Sequence, residues 1–179
     1  LSIRRQRQMC IRDRQYYDGH GLTIARHPSE TDERMMVRIL AFVLHAHEAL
    51  SFGKGLSTDD EPDLWQKDLT GAIELWIDVG QPDEKRIMKA CGRSNQVMIY
   101  SYSSMSNIWW NQIASKVDRA KNLSVFNLPA ATSQALAKLA QRSMQLQCTI
   151  QDGQVWINGE GESIQIDLVQ LKAPADAAR

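Results

Sequence analysis

Six charged side chains between positions 33 and 85 could be assembled into a hydrolytic centre. Glu33, Asp60, Glu61, Glu74 and Asp78 supply carboxylates, and Lys85 supplies a cation close behind the last of them. Carboxylates that converge from separate elements give a hard cation such as Mg2+ or Mn2+ the oxygen ligands it prefers. A cation so held activates water and offsets charge on a phosphoryl group. A lysine beside it adds a fixed positive charge for the developing anion. In that reading Asp78 and Lys85 are the catalytic pair, and Glu33, Asp60, Glu61, Glu74 and Asp78 form the metal face. Each residue has a plainer reading too. Glu74 and Asp78 fit a solvated sheet face, and Glu33 can pair with Arg34 or Arg38. Asp60 and Glu61 suit an acidic turn, and Lys85 suits a surface charge at helical spacing from Lys89.

The rest of the chain offers weaker chemistry. His20, His27, His45 and His47 lack metal-ligand spacing, since residues two apart on a helix cannot share a face. Ser103-Ser104 has no GxSxG context for a nucleophile elbow, and no glycine loop is built to cradle phosphate. Trp109-Trp110 with Lys116, Arg119 and Lys121 could stack bases and hold phosphates; equally, Trp109 can be core and Trp110 half-buried. Cys10, Cys91 and Cys148 are far apart and form no CxxC pair, which argues against a zinc knuckle or disulfide framework and for a reducing, cytoplasmic setting. No apolar run reaches the length of a membrane helix or a secretory signal core.

The elements that must position these groups follow from the hydrophobic pattern. Pro28-Ser29 followed by Glu30, Asp32 and Glu33 marks a helix start, with acids where the helix dipole favours them. Met36, Ile39, Leu40, Val43 and Ala46 then recur at three- and four-residue spacing, predicting one buried stripe and an end near Glu48. Glu33 lies one turn before Met36 and so faces the sheet. Residues 50–56 predict a short strand, 59–62 an acidic loop and 63–67 a helical turn. Ile73, Leu75, Ile77 and Val79 alternate with Glu74, Trp76 and Asp78 in a strand that stops at Gly80-Gln81-Pro82. A helix opening at Pro82 and stopped by Gly92, then a strand over 96–102, complete a right-handed βαβ unit. Residues 106–117 predict a helix with Ile108, Trp109, Ile113 and Val117 inward, 123–128 a strand and 132–142 a helix. Asp152-Gly153 and Gly159-Glu160-Gly161 break 144–168 into an antiparallel meander.

A chain of 179 residues suits one domain. Its 21 basic and 21 acidic residues cancel, so any polyanion site must be local. Residues 1–14 stand apart. They hold five arginines against one aspartate, show no periodicity, and resemble translated read-through from a sequencing adapter. They are read as a non-native or disordered basic segment, with the domain over 15–172 and a flexible tail over 173–179. If the segment lies outside the fold, the meander at 144–168 exposes an unpaired edge.

Four stretches together carry a likeness to a known family: ARHPSETDERMMVRILAF (25–42), DDEPDLW (59–65), ELWIDVGQPDEKRIMKAC (74–91) and TIQDGQVWI (149–157). They resemble the YaeQ family, in order, over residues 15–172. The resemblance implies a fold similar to the PD-(D/E)XK nuclease superfamily: an α/β architecture with a central mixed sheet flanked by helices, followed by the C-terminal antiparallel meander. That superfamily carries a Glu on the first core helix, an Asp on one hairpin strand and (D/E)-x-K on the next. Glu33 matches the helix position, with Glu30 as a less inward alternative, and Asp60 or Glu61 the hairpin acid. Asp78-Val79-Gly80 falls where (D/E)-x-K belongs, with Gly80 in the lysine place and Lys85 able to reach back. A literal motif search selects Pro62-Asp63 and Asp83-Glu84-Lys85 instead, but Asp83 follows Pro82 in a helix turn rather than lying on a strand. The implied activity is Mg2+- or Mn2+-dependent phosphodiester hydrolysis with nucleic acid as partner. The alternative is a scaffold that binds nucleic acid or protein after losing its lysine, and a third reading is a cleft for a small anion.

Overall fold

The computed structural model describes residues 3–13, 16–54 and 60–175, with side chains for 21–54 and 60–175. Asp59 of the expected acidic loop and residues 176–179 of the expected tail lie outside the described residues. In chain order the elements are β1 (Ile3–Asp13), β2 (Tyr16–Arg26), α1 (Asp32–Leu44), β3 (Leu50–Phe52), β4 (Leu64–Lys67), β5 (Ile73–Val79), α2 (Glu84–Arg93) and β6 (Ser94–Tyr102). They continue with α3 (Ser106–Val117), β7 (Leu123–Leu128), α4 (Ala130–Lys138), β8 (Met144–Gln151), β9 (Gln154–Gly159), β10 (Glu162–Ile166) and β11 (Val169–Lys172).

Two sheets divide these strands. One runs β11-β7-β6-β5-β4-β3, parallel where β5, β6 and β7 meet and antiparallel toward both edges. The other runs β10-β9-β8-β1-β2 and contains the expected meander. The parallel pairs come from two consecutive βα units, in which α2 and α3 carry the chain back across one face. On that face Trp76, Val97, Ile99, Leu123 and Val125 pack with Ile87 and Ala90 of α2 and Trp109, Ile113 and Val117 of α3. On the opposite face Leu64, Leu75, Ile77, Val79, Tyr100 and Leu128 share one core with α1, with Leu136 of α4, and with Leu146, Cys148, Val155 and Ile157 of the second sheet. The molecule is thus layered sheet, helices, sheet, helices.

That layering corrects the single-stripe expectation for α1. Every residue from Met35 to Val43 is buried, as a helix sandwiched between two sheets must be. Other expectations also shift. Thr31, not Ser29, caps α1, its hydroxyl accepting from the Arg34 N–H, and the helix stops at Leu44. Residues 64–67 are a strand rather than a helical turn, because Trp65 and Leu64 pair across to Trp76 and Ile77. Ile108 is half exposed rather than inward. Residues 3–13, expected to lie outside the fold, form β1, which pairs antiparallel with β2 and parallel with β8. β1 thus covers β8, and the expectation that the meander lacks its partner strand is overturned.

Candidate functional site

A cleft of about 600 Å3 opens beyond the C-terminal ends of β5 and β6. Backbone ends of adjacent parallel strands make such a crevice wherever helices diverge from the sheet. Thr31, Glu33 and Arg34 at the start of α1 form one wall. Gly80, Gln81, Pro82 and Arg86, leading into α2, form the opposite one, and Tyr102, Ser103 and Met105 lead into α3. Three helix N-termini therefore border one cleft, each bringing partial positive charge. Two further features fix its backbone. Gly80 takes φ of +108°, a turn open to glycine that lets β5 end abruptly. Ser103 takes φ of +92°, and its Oγ accepts hydrogen bonds from Gln81 Nε2 and the Met105 N–H.

Two carboxylates lie at the floor. Asp78 is 2 % exposed. It accepts Arg86 Nε at Oδ2 and Nη2 at Oδ1, both at 2.9 Å, while Trp76 Nε1 donates to Oδ2 at 3.1 Å. Asp63, 3 % exposed, accepts Arg34 Nη2 at Oδ1 and the Val79 N–H at Oδ2, both at 2.7 Å. Burial, reinforced by the charge of Asp78, holds the Asp63 carboxyl above the usual range, with Arg34 pulling the other way. Arg34 loses solvation too, but Asp63 and Glu30 outweigh that and strengthen its hold on its proton. Behind this pair Glu30, also buried, binds Arg34 Nη1 at 3.1 Å and Arg38 Nη2 at 2.7 Å. Charges this deep persist only because each is paired.

The structure sorts the residues expected from the sequence. Asp78 stands on the cleft floor, and its strand face is covered by α2 and α3 rather than solvated. Glu33 lines the cleft, and Ser133 of α4 donates to its Oε1 at 2.5 Å. Glu74 does not join them. It lies four residues back on the same strand face, about 13 Å away at the usual rise, and accepts from Gln66 Nε2. Asp60 is exposed and bonded to Lys89, which keeps its carboxyl below the ordinary range. Glu61 turns to Lys54, accepting its backbone N–H, so only its carbonyl reaches the site, through Arg86 Nη2. The acid that reaches the floor from the segment entering β4 is Asp63, bound to Arg34 and the Val79 N–H, rather than Asp60 or Glu61. The cation is Arg86 rather than its exposed neighbour Lys85.

Some signals for these residues were present. Glu30, Arg34 and Arg38 recur every fourth residue, the spacing of a helical ion-pair ladder. Arg86 and Arg93 stand two turns apart on α2. Arg86 meets Asp78, and the Arg93 guanidinium lies 5.5 Å from the Trp76 ring centre.

A divalent ion needs several oxygens that are free to turn toward it. Here both oxygens of Asp78 and both of Asp63 already accept N–H donors. Among the described residues no three His, Cys, Asp or Glu side chains form a group that could hold a metal ion. As arranged, the donor set does not fit one. The same residues do fit an anion, because Arg34 and Arg86 stand in the cleft wall with three helix N-termini.

Comparison with known proteins agrees with the fold. A family model described as YaeQ protein matches residues 5–168. The chain is 43% identical over 164 residues to "Uncharacterized protein YaeQ" of Salmonella typhi, covering 91% of each, and 42% identical with the same coverage to its namesake in Escherichia coli (strain K12). The crystal structure of the YaeQ protein from Xanthomonas axonopodis pv. citri superposes with a TM-score of 0.92 at 45% identity, over 97% of this chain and 100% of that one. The YaeQ protein from Pseudomonas syringae gives 0.92 at 33% identity, over 97% and 98%.

Proposed function

The chain belongs to the YaeQ protein family, and from that premise we propose that its cleft binds the phosphodiester backbone of a nucleic acid without cleaving it. The observation that carries this reading is the guanidinium pairing of Asp63 and Asp78, with Gly80 where a catalytic lysine would stand. On this reading Glu33 on α1, Asp63 entering β4 and Asp78 on β5 stand in for the three acids of a PD-(D/E)XK site. This correspondence supports a nuclease-like ancestry for the scaffold. Their present contacts turn the acids into anchors for two arginines, and it is the arginines that meet the ligand. A guanidinium gripped from behind by a carboxylate is held in place without losing all its donors.

The neighbouring helix extends the positive surface. Within α2, Lys85, Arg86, Lys89 and Arg93 face a single acid, Glu84. Lys85, Lys89 and Arg93 are exposed. An approaching backbone would meet these side chains before entering the cleft.

Binding is tested with fluorescently labelled single- and double-stranded DNA and RNA in EDTA, followed by polarisation. With three phosphates neutralised, affinity for duplex should fall roughly 40-fold between 50 and 200 mM salt. The double variant Lys85→Glu/Lys89→Glu should bind about tenfold more weakly or worse. Unchanged affinity in that variant, or cleavage of any substrate by the wild type with Mg2+ or Mn2+, would sink the proposal.

A further inference from the structure

We propose that the cleft takes nucleic acid as a single strand, with an unpaired base laid on an apolar shelf formed by Tyr102, Met105 and Ile108. This rests on the backbone-binding reading above and narrows its ligand. The shelf stands out on hydrophobic grounds. Trp109, Ile113 and Val117 are the side chains that α3 turns to the core. Just before them Met105 is 54 % and Ile108 51 % exposed. Among the described residues four large apolar side chains are left so open, and the other two, Leu69 and Val169, belong to other parts of the chain. Single exposed apolar groups are ordinary, whereas neighbours rimmed by polar groups mark a contact surface. Met105 and Ile108 are neighbours, being three residues apart at the start of one helix, and Met105 lines the cleft itself.

Chain geometry brings in the third member. Tyr102 ends β6 and packs against the core around α1. It also lines the cleft, where its hydroxyl shares a hydrogen bond with Thr31. Ser103 then turns the chain through a positive φ, pinned by Gln81 and the Met105 N–H. Tyr102 behind the turn and Met105 ahead of it therefore border the same opening as Arg34 and Arg86, with Ile108 one turn further along α3. The ligand these groups suit carries negative charge and a flat apolar face side by side, as a nucleotide does. Base faces stack on aromatic and apolar side chains whatever their sequence. In a duplex those faces are already covered by neighbouring pairs. An opening of about 600 Å3 is moreover of the size that encloses a small molecule, not a double helix. A nucleotide of a single strand meets both conditions.

Polarisation tests this with oligothymidylate, an abasic strand of the same length and a blunt duplex, at about 200 mM salt, where phosphate attraction is weakened. Wild type should bind oligothymidylate about tenfold more tightly than the abasic strand, and more tightly than the duplex. In Met105→Ser/Ile108→Ser, which alters exposed groups only, the preference for bases should disappear. The contact has its own reporter in isotope-labelled methionine methyls. Oligothymidylate should shift the Met105 methyl NMR signal, identified by its loss in Met105→Leu, and the abasic strand should not. Equal affinity for oligothymidylate and the abasic strand, or a preference that the double variant keeps, overturns the shelf and leaves backbone binding standing. Duplex bound as tightly as the single strand overturns it too. Failure of every strand to bind would end the backbone reading and the shelf with it. Binding of wild type to phosphatidylglycerol vesicles that the double variant loses, with its base preference intact, overturns the proposal in favour of a lipid contact.

Discussion

At the scale of single residues, the same desolvation that forces Asp63 and Asp78 to find arginines also acts on a histidine outside the cleft. His45, the C-terminal cap residue of α1, shares a 2.5 Å hydrogen bond between Nε2 and the Tyr100 hydroxyl. Burial lowers its pKa from 6.5 to about 4. Above pH 6.5 the ring is neutral in both the folded and unfolded chain and gives no pH dependence. As pH falls toward 4 only the unfolded chain gains the proton, so folding weakens by on the order of 3 kcal/mol. Urea unfolding at pH 7 and pH 4.5 should therefore show a smaller acid loss in His45→Gln than in wild type. Equal losses would mean the ring is solvated. The candidate site was legible in part for the same reason. Glu33 and Asp78 betray themselves by type and by face. Asp63 and Arg86 could not be chosen over Asp60, Glu61 and Lys85, because neighbours in sequence differ only in direction. Direction is set by the strand pairing of 64–67 and by the Asp83 cap.

At the scale of elements, turn chemistry proved the most readable signal. Asp152-Gly153 has φ of +51° and +78°, and Glu160-Gly161 has +49° and +83°, so each closes a two-residue hairpin of the mirror-image kind. Gly153→Ala meets no atom within 4 Å, and its cost is conformational alone. About 1 kcal/mol is expected, which lowers the melting temperature by about 2–4 °C in a protein of this size. Gly92, expected to stop α2, lies inside it, since the helix runs on to Arg93; with a free Cβ position and no positive φ it should respond oppositely: Gly92→Ala gains roughly 0.5–1 kcal/mol. Calorimetry on the two variants checks both signs. The central strands were legible because alternation names both faces of β5. The strand over 64–67 was not, since four residues hold too little periodicity to tell a turn of helix from an edge strand. Residues 3–13 gave no pattern at all, and only their partners β2 and β8 define them as a strand.

At the scale of the whole molecule, one core joins what two sheets would otherwise separate. Met36, Ile39, Leu40 and Val43 of α1 belong to the same cluster as Ile77 of one sheet and Ile157 of the other. The sheets should accordingly unfold together. Trp156 on β9 reports on one, and Trp65, Trp76, Trp109 and Trp110 on the other and its covering helices. In thermal melts, fluorescence from a Trp156→Phe variant and far-ultraviolet dichroism of wild type should trace coincident transitions; two separated midpoints would show independent sheets. The central position of α1 reaches further, into biosynthesis. Its apolar sides are complete once residue 44 has been made, yet three of the five strands in the sheet that covers one of them, β8 to β10, begin only at Met144. At roughly 5–20 residues per second, the ribosome leaves that segment without its full native cover for several seconds or more. During that interval the nascent chain offers a greasy thirteen-residue stretch to whatever holdase stands at the exit tunnel.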